Sequence, residues 1–199
     1  MSSLLFYTDE NEAIIATDTL LHYSVEKPPG FISKAISLPH MRLIVAATGS
    51  ALLFNRWIGL VNNQSIALNV DSVDAHAPQE LQALWGELNA HFPALRDQTA
   101  TIYHFGISDN SGKVHGFAYR SVSDFRSERL SYGLGIKPEL MNKAGIDWNS
   151  FPKCAPDIMR AQIQQEDEKV EGRVYIGGSV QITHLTKDGI SIYSMGELG

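Results

Sequence analysis

The order in which strands and helices follow one another limits the fold of this chain more than any other feature of its sequence. The apolar patterns predict strands over about the first fifty residues, then two helices, strands, one helix, and strands again. Strands and helices that come in separate runs favour α+β layers over alternating βαβ units. No low-complexity tract or long linker interrupts the 199 residues, so we expect an α+β fold in a single domain, residues 1–199.

The amino-terminal segments have the pattern of short strands joined by turns. Apolar stretches at residues 4–7 and 13–16 lie on either side of a polar turn at residues 8–11. Residues 43–47 are continuously apolar, which predicts a buried strand, and residues 48–50 can close that strand and begin a helix.

Two helices are predicted in the middle of the chain from their periodicity. Apolar side chains at residues 53–61 fall on one face of the first helix, and those at residues 81–92 fall on one face of the second. Pro78 suits the first turn of the second helix, and Pro93 ends it. A third helix, with a charged end, is predicted over residues 156–169.

The later strands are marked by a hairpin sequence. Residues 101–107 and 114–119 flank Asp109-Asn110-Ser111-Gly112, whose residue types favour a tight turn. Three further strands are predicted, at residues 129–136, 174–185 and 190–195.

Composition and charge exclude several classes of protein. Hydrophobic residues make up 44% of the chain and charged residues 19%, which excludes a disordered chain. A net charge of −6 with no basic stretch argues against a nucleic-acid partner. The apolar runs are too short to span a bilayer, no signal segment is apparent, and there is one cysteine. We therefore expect no membrane partner and a cytoplasmic location.

Three groups of local sequence resemble the proteasome-type N-terminal nucleophile (Ntn) hydrolases. The first surrounds an aspartate, the second a lysine with the strand and helix start that follow it, and the third a glycine pair near the C-terminus. They are Ala16-Thr17-Asp18-Thr19, then Ser33-Lys34-Ala35-Ile36 with Ala47-Thr48-Gly49-Ser50-Ala51, and Tyr175-Ile176-Gly177-Gly178-Ser179-Val180 running on to Leu185-Thr186-Lys187-Asp188-Gly189. The resemblance implies a four-layer αββα sandwich, in which helices flank two stacked antiparallel sheets.

The spacing of three residues also resembles the catalytic β-subunits of that family. In those subunits the nucleophile is the first residue of the mature chain, an aspartate follows sixteen residues later, and a lysine follows sixteen beyond that. Here Asp18 lies sixteen residues after Ser2, and Lys34 lies sixteen after Asp18. The match requires that Met1 is removed, and a small residue in second place favours that removal.

The resemblance implies that Ser2, Asp18 and Lys34 form a site that hydrolyses a peptide or another amide. A serine hydroxyl needs a base, and a free α-amine, whose ordinary pKa is about 7.7–8, can take its proton. Lys34 would favour the alkoxide by its positive charge, and Asp18 would hold Lys34 in place. The backbone N–H groups of Thr48 and Gly49 would bind the oxyanion.

Other functions remain open at the level of sequence. The family supports its nucleophile with a second aspartate and two serines, and the corresponding positions here are Arg173, Ile176 and Leu134. These departures motivate the alternative of a non-catalytic proteasome-like subunit that serves as an assembly or binding module. Asp18 and Lys34 could instead form a structural ion pair. A third alternative is an unrelated α+β domain.

The partners are expectations from the same resemblance. Family members assemble into hexameric or heptameric rings, so the resemblance implies a homo-oligomer, with a ring as one form of it. An ATPase partner follows only by analogy. We expect no cofactor and no metal, since none of the seven histidines has metal-ligand spacing to a carboxylate or cysteine. Gly177 and Gly178 are expected to allow close backbone packing.

Overall fold

The structure is a computed structural model that describes residues 3–21, 30–63 and 69–198. The described chain contains three α-helices, twelve strands and four single turns of 3-10 helix. In chain order the strands are β1 (Leu4–Thr8), β2 (Glu12–Asp18), β3 (Leu20–Leu21), β4 (Gly30–Phe31), β5 (Ala35–Leu38), β6 (Leu43–Thr48), β7 (Thr101–Ile107), β8 (Val114–Arg120), β9 (Ser127–Arg129), β10 (Gly133–Lys137), β11 (Ser179–Thr186) and β12 (Gly189–Glu197). The helices are α1 (Ala51–Asn63), α2 (Val70–His91) and α3 (Ala155–Asp167).

The strands form three antiparallel sheets. The N-terminal sheet has the strand order β10-β1-β2-β11-β12, and the central sheet has the order β5-β6-β7-β8-β9. Strands β3 and β4 form a small two-stranded sheet. The predicted α+β class is therefore confirmed.

Strand β2 lies inside the N-terminal sheet and is buried on both of its faces. Ala13 and Ile15 belong to an apolar cluster that contains side chains of both five-stranded sheets. Ile14 and Ala16 point the other way and belong to a cluster with helix α3. Successive side chains of a strand point to opposite faces, so an unbroken apolar run is what this position requires.

Successive side chains of the central sheet also alternate between two clusters, and one of these clusters contains helices α1 and α2. Leu43, Val45 and Ala47 of β6 cluster with apolar side chains of both helices. Ile44 and Ala46 belong to the cluster that the two sheets share. In the described part of the chain, the buried apolar side chains thus form three clusters, and each of the three helices packs against one of the two large sheets.

A buried histidine ties helix α1 to the central sheet. The indole Nε1–H of Trp57 donates to Nε2 of His104 at 2.8 Å, and the two rings stack with their centroids 5.7 Å apart. His104 is fully buried, and this burial lowers the pKa of its imidazole to about 3. The ring is therefore a neutral acceptor at neutral pH.

Helix α2 begins earlier than the sequence predicts. The sequence predicts Pro78 in the first turn, but the helix starts at Val70, and Pro78 lies inside it. Asn69 caps the helix by accepting from the backbone N–H groups of Asp71 at 3.0 Å and Ser72 at 2.9 Å. This cap satisfies the first amides of the helix, and the buried face continues from Val70 to Leu81 across the proline.

The prediction of a single strand over residues 129–136 is wrong. The segment contributes to two strands, and these belong to different sheets: β9 pairs with β8 in the central sheet, and β10 pairs with β1 in the N-terminal sheet. Gly133, with φ of +125°, begins the second strand. The chain changes sheet between the two strands, which periodicity alone does not reveal.

The strand predicted over residues 174–185 is shorter than expected. It begins at Ser179, because Gly178 has φ of +72° and the preceding residues leave the sheet. Most other predicted strands and helices are confirmed with small shifts of their ends. None of the three described helices is both long enough and apolar enough to cross a bilayer.

Candidate active site

Asp18 is the last residue of β2 and lies at the centre of a small buried hydrogen-bond network. Its Oδ1 accepts from Lys34 Nζ at 2.8 Å and from the backbone N–H of Ser3 at 2.9 Å. Its Oδ2 accepts from the backbone N–H of Gly177 at 3.1 Å. The side chain is 0% exposed. One carboxylate therefore joins three segments that are far apart in the sequence.

Lys34 lies immediately before β5 and points toward Asp18. The residue is 4% exposed, and its backbone carbonyl accepts from the N–H of Ala47 at 3.3 Å. This contact holds the lysine beside the end of β6, where the segment that leads into α1 begins. The predicted proximity of Asp18 and Lys34 is thus observed, with the pair inside the protein rather than on its surface.

Burial and charge act against each other in this pair. Burial lowers the pKa of the Lys34 ammonium below its ordinary value, and the carboxylate of Asp18 opposes that shift. Burial likewise raises the pKa of the Asp18 carboxyl, against the effect of Lys34 and of the backbone donors at Gly177 and Ser3. An ion pair in so dry an environment is costly to form unless its hydrogen bonds are satisfied, and here Asp18 accepts three.

The start of the chain reaches this network. Ser2, the predicted nucleophile, lies outside the residues that the structure describes. Ser3 is the first described residue and is fully buried. Its backbone N–H donates to Asp18, and its hydroxyl donates to Gln162 Oε1 at 2.6 Å. The residue bonded to Ser2 is therefore fixed against the Asp18–Lys34 pair.

Thr48 and Gly49, the predicted oxyanion donors, lie where β6 ends and α1 is about to begin. Gly49 has φ of +95°, and a Cβ atom there would lie 2.1 Å from the carbonyl oxygen of Thr99. Only glycine fits such a position, because both the backbone angle and the space exclude a side chain. Ser50 then accepts from the N–H of Leu53 at 3.3 Å and caps the helix.

A cavity of about 520 Å³ lies beside these residues. Lys34, Thr48 and Gly49 all line it. Most of the remaining wall is apolar and includes Leu20, Ile32, Ala47, Leu52, Phe54 and Leu95. The volume falls within the range of small-molecule and side-chain pockets, so the three residues share one concave site.

The glycine pair serves close packing, as the sequence predicts. A Cβ atom at Gly178 would lie 2.5 Å from Thr19 Oγ1, and one at Gly177 would lie 3.2 Å from Leu20 Cδ2. Sequence reasoning missed a second role: the N–H of Gly177 donates to Asp18. It also missed Ser3 and Gln162, whose contacts depend on tertiary packing.

The three positions that depart from the family pattern lie in different surroundings. Arg173 forms an ion pair with Asp167, in which both side chains are about half exposed. Ile176 is buried in the apolar cluster with α3. Leu134 is paired with Tyr7 in the N-terminal sheet.

A second chain of a carboxylate, a base and a hydroxyl lies at the hairpin between β7 and β8. His115 Nδ1 lies 2.8 Å from Asp71 Oδ1, and its Nε2 lies 3.1 Å from Ser111 Oγ. Ser111 is exposed in the turn, where its hydroxyl also accepts from the N–H of Lys113 at 3.3 Å. These residues do not line the cavity beside Lys34. Their hydrogen bonds fasten the hairpin to the start of α2.

Comparison with known proteins gives information about the fold and none about the activity. No family model and no curated protein is matched by this sequence. The fold is similar to that of Anbu (ancestral beta-subunit) from Yersinia bercovieri, with a TM-score of 0.65 over 98% of this chain and 88% of that chain. The two chains are 12% identical. At that identity the likeness shows that the two chains share a fold, and it shows no more than that.

Proposed function

We propose that this chain is an Ntn hydrolase that cleaves peptide or other amide bonds. Ser2, exposed by removal of Met1, is the nucleophile, and its own α-amine is the base. One observation carries the proposal: the buried carboxylate of Asp18 binds both Lys34 and the backbone N–H of Ser3, the residue next to Ser2. This contact of Ser3 supports the assignment of the preceding residue, Ser2, to the pair that the spacing of the sequence indicates.

The reaction uses groups of this chain at each step. The α-amine takes the proton of the Ser2 hydroxyl as Oγ bonds to the carbonyl carbon, and N–H groups at Thr48 and Gly49 bind the oxyanion. The carbon–nitrogen bond then breaks, and the proton held by the α-amine goes to the departing amine. Water, activated by the same α-amine, hydrolyses the ester that remains and restores the hydroxyl.

Lys34 contributes positive charge in a dry environment. A buried ammonium near the α-amine disfavours a second positive charge, so the α-amine stays neutral and able to accept a proton. The same charge favours the alkoxide of Ser2. Asp18 holds the ammonium in place at 2.8 Å and keeps it charged.

The cavity indicates the class of side chain that the substrate presents. Its apolar wall favours an aliphatic or aromatic side chain next to the cleaved bond. Among the described residues that line it, the acidic one is Asp97, whereas the charge of Lys34 is matched by Asp18. An acidic substrate side chain would meet repulsion from Asp97, so we expect it to be disfavoured.

The wider architecture follows from the same proposal. We infer that the three buried clusters separate four layers, αββα, in one domain. We also propose self-association, with a ring as one form, which the exposed Ile192 and Tyr193 on strand β12 support. The cytoplasmic location and an ATPase partner rest on the sequence and on analogy.

The test uses protein expressed from Met1, with fluorogenic peptide amides as substrates. These carry leucine, phenylalanine, arginine or glutamate before the cleaved bond. We expect turnover of the leucine and phenylalanine substrates, and a loss of roughly 10⁴-fold or more in Ser2→Ala. Insertion of one alanine before Ser2 keeps the hydroxyl but moves the α-amine, and should abolish turnover equally. Equal activity of Ser2→Ala and the natural chain would exclude the proposed nucleophile.

A second candidate function is a non-catalytic subunit. The observation that favours it is the apolar burial of Ile176, a position where the resemblance expects a serine. Absence of turnover, with unchanged self-association in Ser2→Ala, would favour this candidate. Retention of Met1 in the natively expressed chain would do the same, since the base would then be part of a peptide bond.

A further inference from the structure

A glutamine in the middle of helix α3 is buried without any exposed surface. Gln162 is 0% exposed, and both ends of its amide are hydrogen-bonded. Its Oε1 accepts from the hydroxyl of Ser3 at 2.6 Å, and its Nε2 donates to the carbonyl of Pro138 at 2.6 Å. A buried amide is costly unless it is paired. Here it joins the start of the chain to the segment that follows β10.

Ser3 lies just before the sheet pairing of β1, which starts at Leu4. Asp18 binds its backbone N–H, and Gln162 binds its hydroxyl. Two hydrogen bonds to different atoms of one residue fix both its position and its orientation. Whatever fixes Ser3 also limits where the adjoining Ser2 can go.

We propose that Gln162 is a positioning residue, which holds the hydroxyl and α-amine of Ser2 in register with Lys34 through Ser3. This inference rests on the proposed function. A displacement of about 1 Å between reacting groups can cost about 10²-fold in rate, while the binding of a substrate side chain changes little. Gln162 does not line the cavity, so its role concerns the rate of the bond-forming step and leaves affinity unchanged.

The same helix offers a matched control. Gln165 makes the same kind of tether to the same segment: its Nε2 donates to the carbonyl of Glu139 at 2.9 Å, and its Oε1 accepts from the N–H of Met141 at 2.8 Å. Its hydrogen bonds do not include Ser3. Loss of Gln165 therefore tests the effect of a weakened tether between α3 and this segment without touching the start of the chain.

The experiment measures the labelling of Met1-free protein by a leucine-containing peptide vinyl sulfone. The Ser2 oxygen adds to the double bond of this probe, and the transferred proton ends on the carbon beside the sulfone. We expect Gln162→Leu and Ser3→Ala each to lower kinact by about 10–100-fold with KI within about threefold. Gln165→Leu should leave both constants within about twofold. Ser3→Thr, which restores a hydroxyl, should recover most of kinact.

The double variant separates a shared contact from two independent effects. Ser3→Ala in the Gln162→Leu background should cost little more than Gln162→Leu alone, because both changes remove the hydrogen bond between Ser3 and Gln162. If the two losses in kinact multiply in the double variant, the inference is overturned. A folded Gln162→Leu protein with unchanged kinact would overturn it as well. If Gln162→Leu does not fold, Ser3→Ala with Ser3→Thr decides the question. Wild-type protein that is not labelled at Ser2 would instead overturn the proposed function itself.

Discussion

Two regions of the molecule each bring a carboxylate, a nitrogen base and serines together, but in opposite surroundings. Asp18 and Lys34 are buried, contact the start of the chain, and adjoin a cavity of about 520 Å³. Asp71, His115 and Ser111 form a chain of hydrogen bonds at the hairpin between β7 and β8, where Ser111 is exposed. A set of hydrogen bonds among a carboxylate, a base and a serine therefore does not by itself distinguish a reactive site from a structural contact.

Burial and access to a substrate make the difference. Charges interact far more strongly when water is excluded, so Lys34, whose side chain is 6% exposed, can influence neighbouring groups more strongly than the partly exposed His115. The cavity gives a substrate room beside Lys34, Thr48 and Gly49. The hydrogen-bonded residues Asp71, His115 and Ser111, called the hairpin chain below, have a structural role, because they join the turn to the start of α2.

Lys34→Met should produce the largest effect. It removes the charge that we propose acts on Ser2, so labelling by the vinyl sulfone should fall by about 10³–10⁴-fold. It also leaves Asp18 buried without its ionic partner, which should lower the free energy of unfolding by about 3–5 kcal/mol. Labelling kinetics and urea unfolding measure the two effects separately.

An exposed lysine of similar geometry provides the control for that variant. Lys113 Nζ lies 2.7 Å from Glu10 Oε1, but both side chains are about half exposed. Lys113→Met should change neither labelling nor unfolding appreciably, because exposed pairs contribute little. Equal losses in the two lysine variants would contradict the distinction between buried and exposed charge.

His104 tests the effect of burial on a group away from the cavity. Its folded-state pKa of about 3 lies below the unfolded value of 6.5, so the unfolded chain binds the proton first as the pH falls. The contribution of His104 to stability is complete above pH 6.5 and is lost progressively between pH 6.5 and about 3. At pH 4.5 the loss should be about 3 kcal/mol.

Unfolding of the wild type and His104→Gln at pH 7 and pH 4.5 measures that contribution. The glutamine can still accept from Trp57 but does not titrate, so its stability should fall less than that of the wild type between the two pH values. The exposed His40 offers a control, and His40→Gln should follow the wild-type curve. Parallel losses in His104→Gln and the wild type would show that His104 is not the group responsible.

Ser111→Ala should have the smallest effect. The hydroxyl is exposed and helps only to hold the turn, so we expect a change of at most about 1 kcal/mol in unfolding and no change in labelling. A vinyl sulfone adduct found on Ser111 would show that the hairpin chain is reactive, and would remove the contrast between the two regions.

Much of the fold was accessible from the sequence, because periodicity and turn residues are local signals. The apolar run of β2 and the hairpin at Asp109–Gly112 are examples. The early start of α2 was missed because Pro78 favours a first turn, although the cap formed by Asn69 with Asp71 and Ser72 is a local signal. The exchange between sheets after Arg129 was missed because periodicity does not record which neighbour a strand pairs with.

The candidate site was only partly accessible. The even spacing of Ser2, Asp18 and Lys34 predicts that Asp18 and Lys34 lie together. In the structure Lys34 Nζ lies 2.8 Å from Asp18 Oδ1. A glutamine within a helix carries no such signal, so the contact between Gln162 and Ser3 could not be found from the sequence. The cavity also depends on segments as distant as Leu20 and Leu95, which come together only in the fold.

The most direct measurement is the mass of the natively expressed chain before and after reaction with the vinyl sulfone, followed by mapping of the modified residue. Our account predicts a chain without Met1 that gains one adduct, located on Ser2, and no adduct in Ser2→Ala. A chain that keeps Met1, or an adduct that forms equally well without the Ser2 hydroxyl, would contradict it.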